Sequence, residues 1–426
     1  HPTWKSINGN LYMFRKICDK NTFQKIGVEV FKLKKDIFLG DIGRFADFEK
    51  IEIFSENFES MYRYKENSCC DNDSYLISSW LDCHIHNRIA KYTAFQGYFS
   101  YFHTLAFLKK LSKYNPDIIH LHNLHGNYIN IPLLFKYIKK HNIKVVWTLH
   151  DCWSFTGVCP HFDMIGCKQW KYGCKECPMS SKFLLADNKS IAKKYKSKKS
   201  LFTGIEKMTV ITPSKWLAGL VKQSFLGAYP IKVINNGIDL NIFKPTESDF
   251  RKKYALENKY IVLGVAFGWD KRKGLDVFCE LAKRLDDQKY QIVLVGTNDN
   301  VDKLLPENII SIHRTQNQTE LAEIYTAANV FANPTMEENY PTVNMEAVAC
   351  GTPVVTFNTG GSPEMLDETC GCAVAKDDID SMENEIIRIC ETRPYSIEAC
   401  IERASHFDKN EKFKEYIKLY KELKDE

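Results

Sequence analysis

Eight short apolar runs, each continuous rather than alternating, limit what this chain can fold into. They are Asp117–Leu121 (DIIHL), Lys144–Leu149 (KVVWTL), Met208–Thr212 (MTVIT) and Ile231–Ile234, then Tyr260–Val265 (YIVLGV), Gln291–Val295 (QIVLV), Val330–Asn333 and Pro353–Phe357 (PVVTF). A strand with one face in water alternates apolar and polar residues, whereas a strand covered on both faces does not. Stretches of helical periodicity separate the runs. In TELAEIYTAAN, Leu321, Ile324, Tyr325 and Ala328 share one face and Thr319 stands at the N-cap. Repeated βα order of this kind predicts α/β architecture built on doubly wound parallel sheets.

So many strands over 426 residues exceed one comfortable sheet, and the chain reads as two Rossmann-like domains facing each other across a cleft. A break fits near residues 225–245. The expected division is an N-terminal domain over 1–225, a C-terminal domain over 226–405 and a terminal helix within 406–426. In that helix Phe413, Tyr416, Ile417 and Tyr420 recur at helical spacing. It is expected to pack outside the second sheet or to return to the first domain. Residues 1–80 are the least readable. A dinucleotide-binding domain opens on a strand and a glycine-rich turn, and here only isolated glycines occur (Gly9, Gly27, Gly40, Gly43). That counts against a nicotinamide-dependent oxidoreductase.

Charge and cysteines narrow the class further. A net charge of +5, from 58 basic and 53 acidic residues, argues against nucleic acid as a partner, and with it against a zinc-knuckle nucleic-acid-binding protein. No apolar run approaches the ~20 residues of a membrane span. Fifteen cysteines with no apolar signal region point to reduced thiols in the cytoplasm or to metal ligands. Cys159, Cys167, Cys174 and Cys177, in the loop 152–177, close on a C-x-x-C and suggest a structural zinc, with free thiols or disulfides as alternatives. The lysine run Lys193–Lys199 reads as a solvated helix face, or else as a contact for an anionic membrane surface.

The chemistry concentrates in three turns of the second half. In EENYPTVNMEAVACG, Pro341 makes the helix begin after it, so Glu338 sits on the loop and Glu346 on the first turns. The amides of Asn339 and Tyr340, with the positive helix end, suit a diphosphate. After YIVLGV, Arg272 and Lys273 occupy a strand-to-helix turn ended by Gly274, where cations suit a pyrophosphate leaving group. After PVVTF, Gly360 and Gly361 allow close backbone approach. All three turns lie at the carboxyl edge of one sheet, where ligands bind in open α/β folds.

These segments also carry a family resemblance. EENYPTVNMEAVACGTPVV, NTGGSPE, the RKG turn and NNGIDLNIFKP resemble the retaining family-4 glycosyltransferases of the GT-B fold. IIHLHNLHGNYIN, VVWTLHDCWSFTG, GCKQWKYGCKECP and ITPSKWLA are similar to the bacterial subgroup of colanic-acid and exopolysaccharide synthesis. The resemblance covers about residues 80–426. It implies a retaining, metal-independent hexosyltransferase using a UDP- or GDP-linked sugar, with no catalytic cofactor. The implied acceptor is a saccharide or lipid-linked saccharide, met by a cytoplasmic enzyme at the inner membrane face. Glu338 would touch the transferred sugar, Glu346 the ribose hydroxyls, and Lys273 with Arg272 the diphosphate. His150 would serve the reacting face of the sugar, and Asn123, His125, Gly126 and Asp151 the acceptor side. The family's usual arginine before the lysine is replaced by Gly268 and Trp269. A nucleotide-sugar epimerase or a non-catalytic partner subunit of the same fold is the alternative.

Overall fold

Burial on both faces explains the continuous runs. In the computed structural model, which describes residues 28–33, 48–54, 74–178 and 186–425, each of the eight forms a strand, and seven are buried along most of their length. The eighth, Ile231–Val233, lies at a sheet edge and is only partly covered. Gly9, Gly27, Gly40 and Gly43 lie outside the described residues.

The chain divides into two compact units. The first comprises His1–Pro213, Ala218–Val233 and Ile417–Glu426; the second comprises Ser214–Leu217 and Ile234–Tyr416. The first contains a seven-stranded sheet. Its strands are β1 (Val28–Leu33), β2 (Phe48–Phe54), β3 (Ser74–Leu76), β4 (Ile118–Leu121), β5 (Lys144–Thr148), β6 (Met208–Thr212) and β7 (Ile231–Val233), in the order β3-β2-β1-β4-β5-β6-β7. From β4 to β7 all pairings are parallel, but β1 runs antiparallel to both β2 and β4, so this sheet is mixed.

Four helices of this unit matter below: α1 (Trp80–Thr93), α2 (Tyr101–Tyr114), α3 (Ile131–His141) and α4 (Asn188–Phe202). Asn130 caps α3 by accepting from Leu133 N at 3.0 Å, and Asp187 caps α4 by accepting from Ser190 N at 2.7 Å. The C-terminal helix spans Lys409–Asp425. Its Tyr420, 1% exposed, meets His120 Nδ1 through its hydroxyl at 2.6 Å within the first unit.

The second unit holds six parallel strands, β8 (Tyr260–Val265), β9 (Tyr290–Val295), β10 (Ile309–Ile312), β11 (Val330–Asn333), β12 (Val354–Phe357) and β13 (Gly371–Val374), in the order β10-β9-β8-β11-β12-β13. The chain winds outward from β8 to one edge, returns to β11 and winds to the other. The switch therefore lies between β8 and β11. One buried cluster, including Leu263, Val293, Phe331, Met345 and Tyr325, fills the space between sheet and helices. Among the described residues no helix is long and apolar enough to cross a membrane.

One buried histidine links folding to pH. His86 on α1 accepts from Gly97 N and Phe99 N at Nε2, at 3.0 and 3.3 Å. Its proton therefore sits on Nδ1, which donates to Ser100 Oγ at 2.7 Å. Burial lowers its pKa from 6.5 to about 4. Between these values the unfolded chain binds a proton that the native chain refuses, so stability falls as pH drops through the window. Urea unfolding at pH 7 and pH 4.5 is expected to differ by about 2–3 kcal/mol more in the wild type than in His86→Gln. Equal acid sensitivity in the two would contradict this reading.

Candidate functional site

Ligands of open α/β sheets bind beyond the carboxyl ends of the strands flanking the switch point. In the second unit those are β8 and β11, and the turns that follow them meet. After β8, Asp270 Oδ1 accepts from Lys273 N at 2.9 Å and holds a tight helical turn over Lys271–Lys273. Gly274 ends it at φ +79, where an added Cβ would lie 2.4 Å from the Pro334 carbonyl oxygen. Met336 N donates to the Arg272 carbonyl at 2.8 Å, fastening this turn to the loop after β11.

This fastening brings Lys273 and Glu338 together, 65 residues apart in sequence. Lys273 Nζ donates to Glu338 Oε2, and the two side chains are 23% and 19% exposed. Both are covered enough to be held and open enough to be reached. Glu338 Oε1 also accepts from Asn339 N at 3.1 Å. The Asn339 amide, read from sequence as a diphosphate donor, is thus engaged by the neighbouring carboxylate. Asn339 and Tyr340 are each 6% exposed. Asn339 Oδ1 accepts from Ser214 Oγ at 2.6 Å, and the Tyr340 ring belongs to the core. These two residues shape the loop.

Helix α5 (Thr342–Ala349) begins directly after Pro341, as the sequence implied. Glu346, its fifth residue, is 2% exposed and accepts from Tyr325 OH at 3.3 Å, deeper than a place on the first turn suggests. Arg272 makes one long contact, Nη1 to the Glu337 carbonyl at 3.4 Å. Trp269 is buried, donates from Nε1 to Val295 O at 3.0 Å and packs edge-on against Phe278. The position before the lysine is therefore used for packing.

The glycine pair allows the close backbone approach that the sequence implied. Gly360 has φ +57, and a Cβ there would lie 1.6 Å from the Glu338 carbonyl oxygen; at Gly361 it would lie 2.1 Å from that of Asn339. Both glycines let the turn after β12 press against the backbone that carries Glu338.

The first unit has a shallow open depression beyond β4 and β5, lined among others by His122, Asn123, His125, His150, Asp151 and Trp153. His122 Nδ1 lies 3.0 Å from His150 Nε2, so one proton lies between the two rings. His120, on the same strand face, is fully buried and bonded through both nitrogens, to Tyr420 and to Thr148 Oγ1 at 2.7 Å. It is a satisfied core histidine. Asp151 Oδ1 accepts from Trp153 N at 2.8 Å, and Oδ2 lies 3.4 Å from His125 Nε2. Burial pushes the His125 pKa down, and Asp151 opposes it. Gly126 is exposed and is not among the residues lining the pocket.

Two lysines of the presumed solvated run prove to be buried beside this pocket. Lys194 and Lys198 lie on the inner face of α4 with Ile191, Tyr195 and Phe202. Lys194 Nζ stands 3.4 Å from the Tyr98 ring centre, and Lys198 Nζ 3.5 Å from that of Trp153. Lys198 also donates to the carbonyls of Trp153 and, at 3.0 Å, Thr156. Burial draws its pKa down to about 7, against the neighbouring Cys159, Cys174 and Asp151. Lys193, Lys196 and Lys199 remain outside. Sequence reading missed Trp153 and Lys198, although the 3.6-residue period places Lys194 and Lys198 beside Ile191 and Tyr195.

The four cysteines are not gathered as a tetrahedral sulfur site. Among the described residues no three of their sulfurs come within 4.8 Å of one another. Zinc with ~2.3 Å bonds to each sulfur would require them to close up. Cys159 and Cys174 are buried, Cys174 Sγ accepts from Gly157 N at 3.2 Å, and burial raises these thiols to about 12 and about 11. Among the described residues the group that does meet the 4.8 Å spacing is Asp299, Asp302 and His313, a surface cluster in which His313 Nε2 and Asp302 Oδ2 pair at 2.5 Å.

Two family models match the chain, one in each half. Residues 71–242 match the family described as Glycosyltransferase Family 4, and residues 258–392 match Glycosyl transferases group 1. A relative named for colanic acid biosynthesis, the glycosyl transferase WcaC of Escherichia coli (strain K12), is 24% identical over 62% of this chain and 65% of its own length. An uncharacterized 41.2 kDa protein in the cps region of Klebsiella pneumoniae is 28% identical over 73% and 81%. The chain thus spans slightly less than two thirds of the first relative and about four fifths of the second. Among solved structures, Anabaena Alr3699/HepE in complex with UDP superposes with a TM-score of 0.56 at 18% identity, covering 75% of this chain and 82% of the other. That likeness establishes the two-domain α/β fold of GT-B glycosyltransferases.

Proposed function

Because this chain belongs to the glycosyltransferases that join a Family 4 domain to a group 1 domain, we propose that it transfers a hexosyl unit from a UDP- or GDP-linked donor, with retention, to a saccharide or lipid-linked saccharide in cell-surface polysaccharide synthesis. The observation that carries this reading is the Lys273–Glu338 pair at the switch point of the second sheet. A cation and a carboxylate side by side are what a sugar diphosphate needs: charge for the phosphates, an acceptor for the sugar hydroxyls. The UDP complex of the Anabaena relative and the polysaccharide context of the two bacterial relatives support the donor and the pathway class.

The chemistry asks for positioning more than for a nucleophile. The bond from the anomeric carbon to the diphosphate breaks while the acceptor oxygen bonds to the same face. The acceptor's proton passes to an oxygen of the departing phosphate. Lys273, helped by Arg272, balances the charge left on the diphosphate; Glu338 holds the sugar and Glu346 the ribose. In the first unit His150 serves the reacting face, and Asn123, His125 and Asp151 serve the acceptor. No catalytic metal is invoked, and the enzyme works in the cytoplasm.

Product analysis with UDP- and GDP-sugars tests this. Transfer only in the presence of acceptor, with the donor's anomeric configuration kept, is expected. Interconversion of the free nucleotide sugar without acceptor would show an epimerase instead, and no turnover with any donor a partner subunit.

A further inference from the structure

Large apolar side chains stand in water on two adjoining helices of the first unit. On α1 only His86 and Ala90 are buried, while Leu81, Ile85, Ile89 and Tyr92 are exposed. Steps of four, four and three residues keep these on one strip. The helix thus carries its apolar stripe outward, the reverse of an ordinary surface helix. On α2 Tyr101, Phe102 and Leu105 are exposed, Phe102 at 81%. His103 Nδ1 lies 3.2 Å from Asp82 Oδ1 and ties the first turns of the two helices together. Large apolar side chains exposed in a strip along one helix, with more at the start of its neighbour, mark an interaction site.

Charge selects the partner. Between Trp80 and Tyr114 there are five basic residues, Arg88, Lys91, Lys109, Lys110 and Lys113, and one acidic residue, Asp82. The rest of the chain holds 53 basic and 52 acidic residues, so most of the net charge of +5 belongs to these two helices. All five basic residues are exposed. Self-pairing through this face would press two such positive surfaces together, which disfavours a second copy. Apolar and aromatic side chains beside lysines and arginines suit the headgroup region of an anionic bilayer, with ring systems at the interface and cations against lipid phosphates.

We propose that the outer face of α1 and α2 seats this protein on an anionic membrane. The proposal deepens the reading of a lipid-linked acceptor and rests on it for its purpose. Its test reads binding without catalysis, so either can fail alone. The full chain is sedimented with vesicles of phosphatidylcholine, alone or mixed with phosphatidylglycerol. Binding is expected at least about tenfold tighter to the mixed vesicles and weakened by salt. The triple variant Leu81→Ser, Ile85→Ser, Phe102→Ser should lose about tenfold in affinity, with the circular dichroism spectrum kept. The pair Lys109→Glu, Lys110→Glu should lose a similar factor for mixed vesicles only. Equal binding by wild type and variants would overturn the proposal. So would dimerisation that Phe102→Ser abolishes, which would give the face to a second copy. Cross-links from the acidic segment 55–73 to Lys91 or Lys109 in the absence of vesicles would give it to the chain itself.

Discussion

Glu338→Gln is expected to lower kcat/KM at least a hundredfold, about 3 kcal/mol of transition-state stabilisation, with little change in melting temperature. The substitution keeps the shape of the side chain and removes the charge that faces Lys273. Each partner is about one-fifth exposed, so water screens much of what the pair contributes to folding, and the stability change should stay within about 1 kcal/mol. Catalysis is different, because both groups act on one donor. Lys273→Ala should cost a similar factor, and the double variant much less than the product of the two, since residues acting as a unit are not additive. Strictly multiplicative losses would show that the two groups serve separate sites.

A second large effect is expected one loop away. Gly360→Ala asks an L-residue to adopt φ +57 and places a methyl 1.6 Å from the Glu338 carbonyl oxygen. Backbone must move, since no flexible side chain can yield. We expect a loss of about 2–4 kcal/mol in stability. Because the displaced backbone carries Glu338, activity should fall at least about tenfold even at temperatures where the variant is folded. Thermal unfolding and kcat, measured together, check this; a variant with normal melting and normal turnover would mean that the turn after β12 plays no part in placing Glu338.

Much of this was legible because double-sided burial leaves an unmistakable mark on a strand. YIVLGV, MTVIT and VFAN are strands at the residues expected. Four of the five strands missed carry other signatures, and the fifth, β3, is only three residues long. β1 (VEVFKL) and β2 (FEKIEIF) contain alternating stretches, a pattern hidden to a search for continuous runs. β10 and β13 are short edge strands, half covered. Within the site, the residue types of Lys273 and Glu338 could be read from their turns, but their pairing could not. It depends on β8 and β11 being neighbours, a fact of topology rather than spacing. Gly360 and Gly361 were read as allowing close backbone approach, and the backbone that comes close is that of the Glu338 loop, a partner the spacing did not name. The lysines of α4 misled for a simpler reason. A charge run suggests solvent, and only the helical period tells that Lys194 and Lys198 point inward, where aromatic rings and carbonyl oxygens receive them.

The central claim is that the paired turns after β8 and β11 bind a nucleoside diphosphate. Calorimetric titration of UDP and GDP into wild type and Lys273→Ala tests it directly. At least one nucleotide should bind the wild type, with an affinity at least about tenfold higher than that for Lys273→Ala. Binding of equal strength in both proteins, or of neither nucleotide to the wild type, would contradict the account.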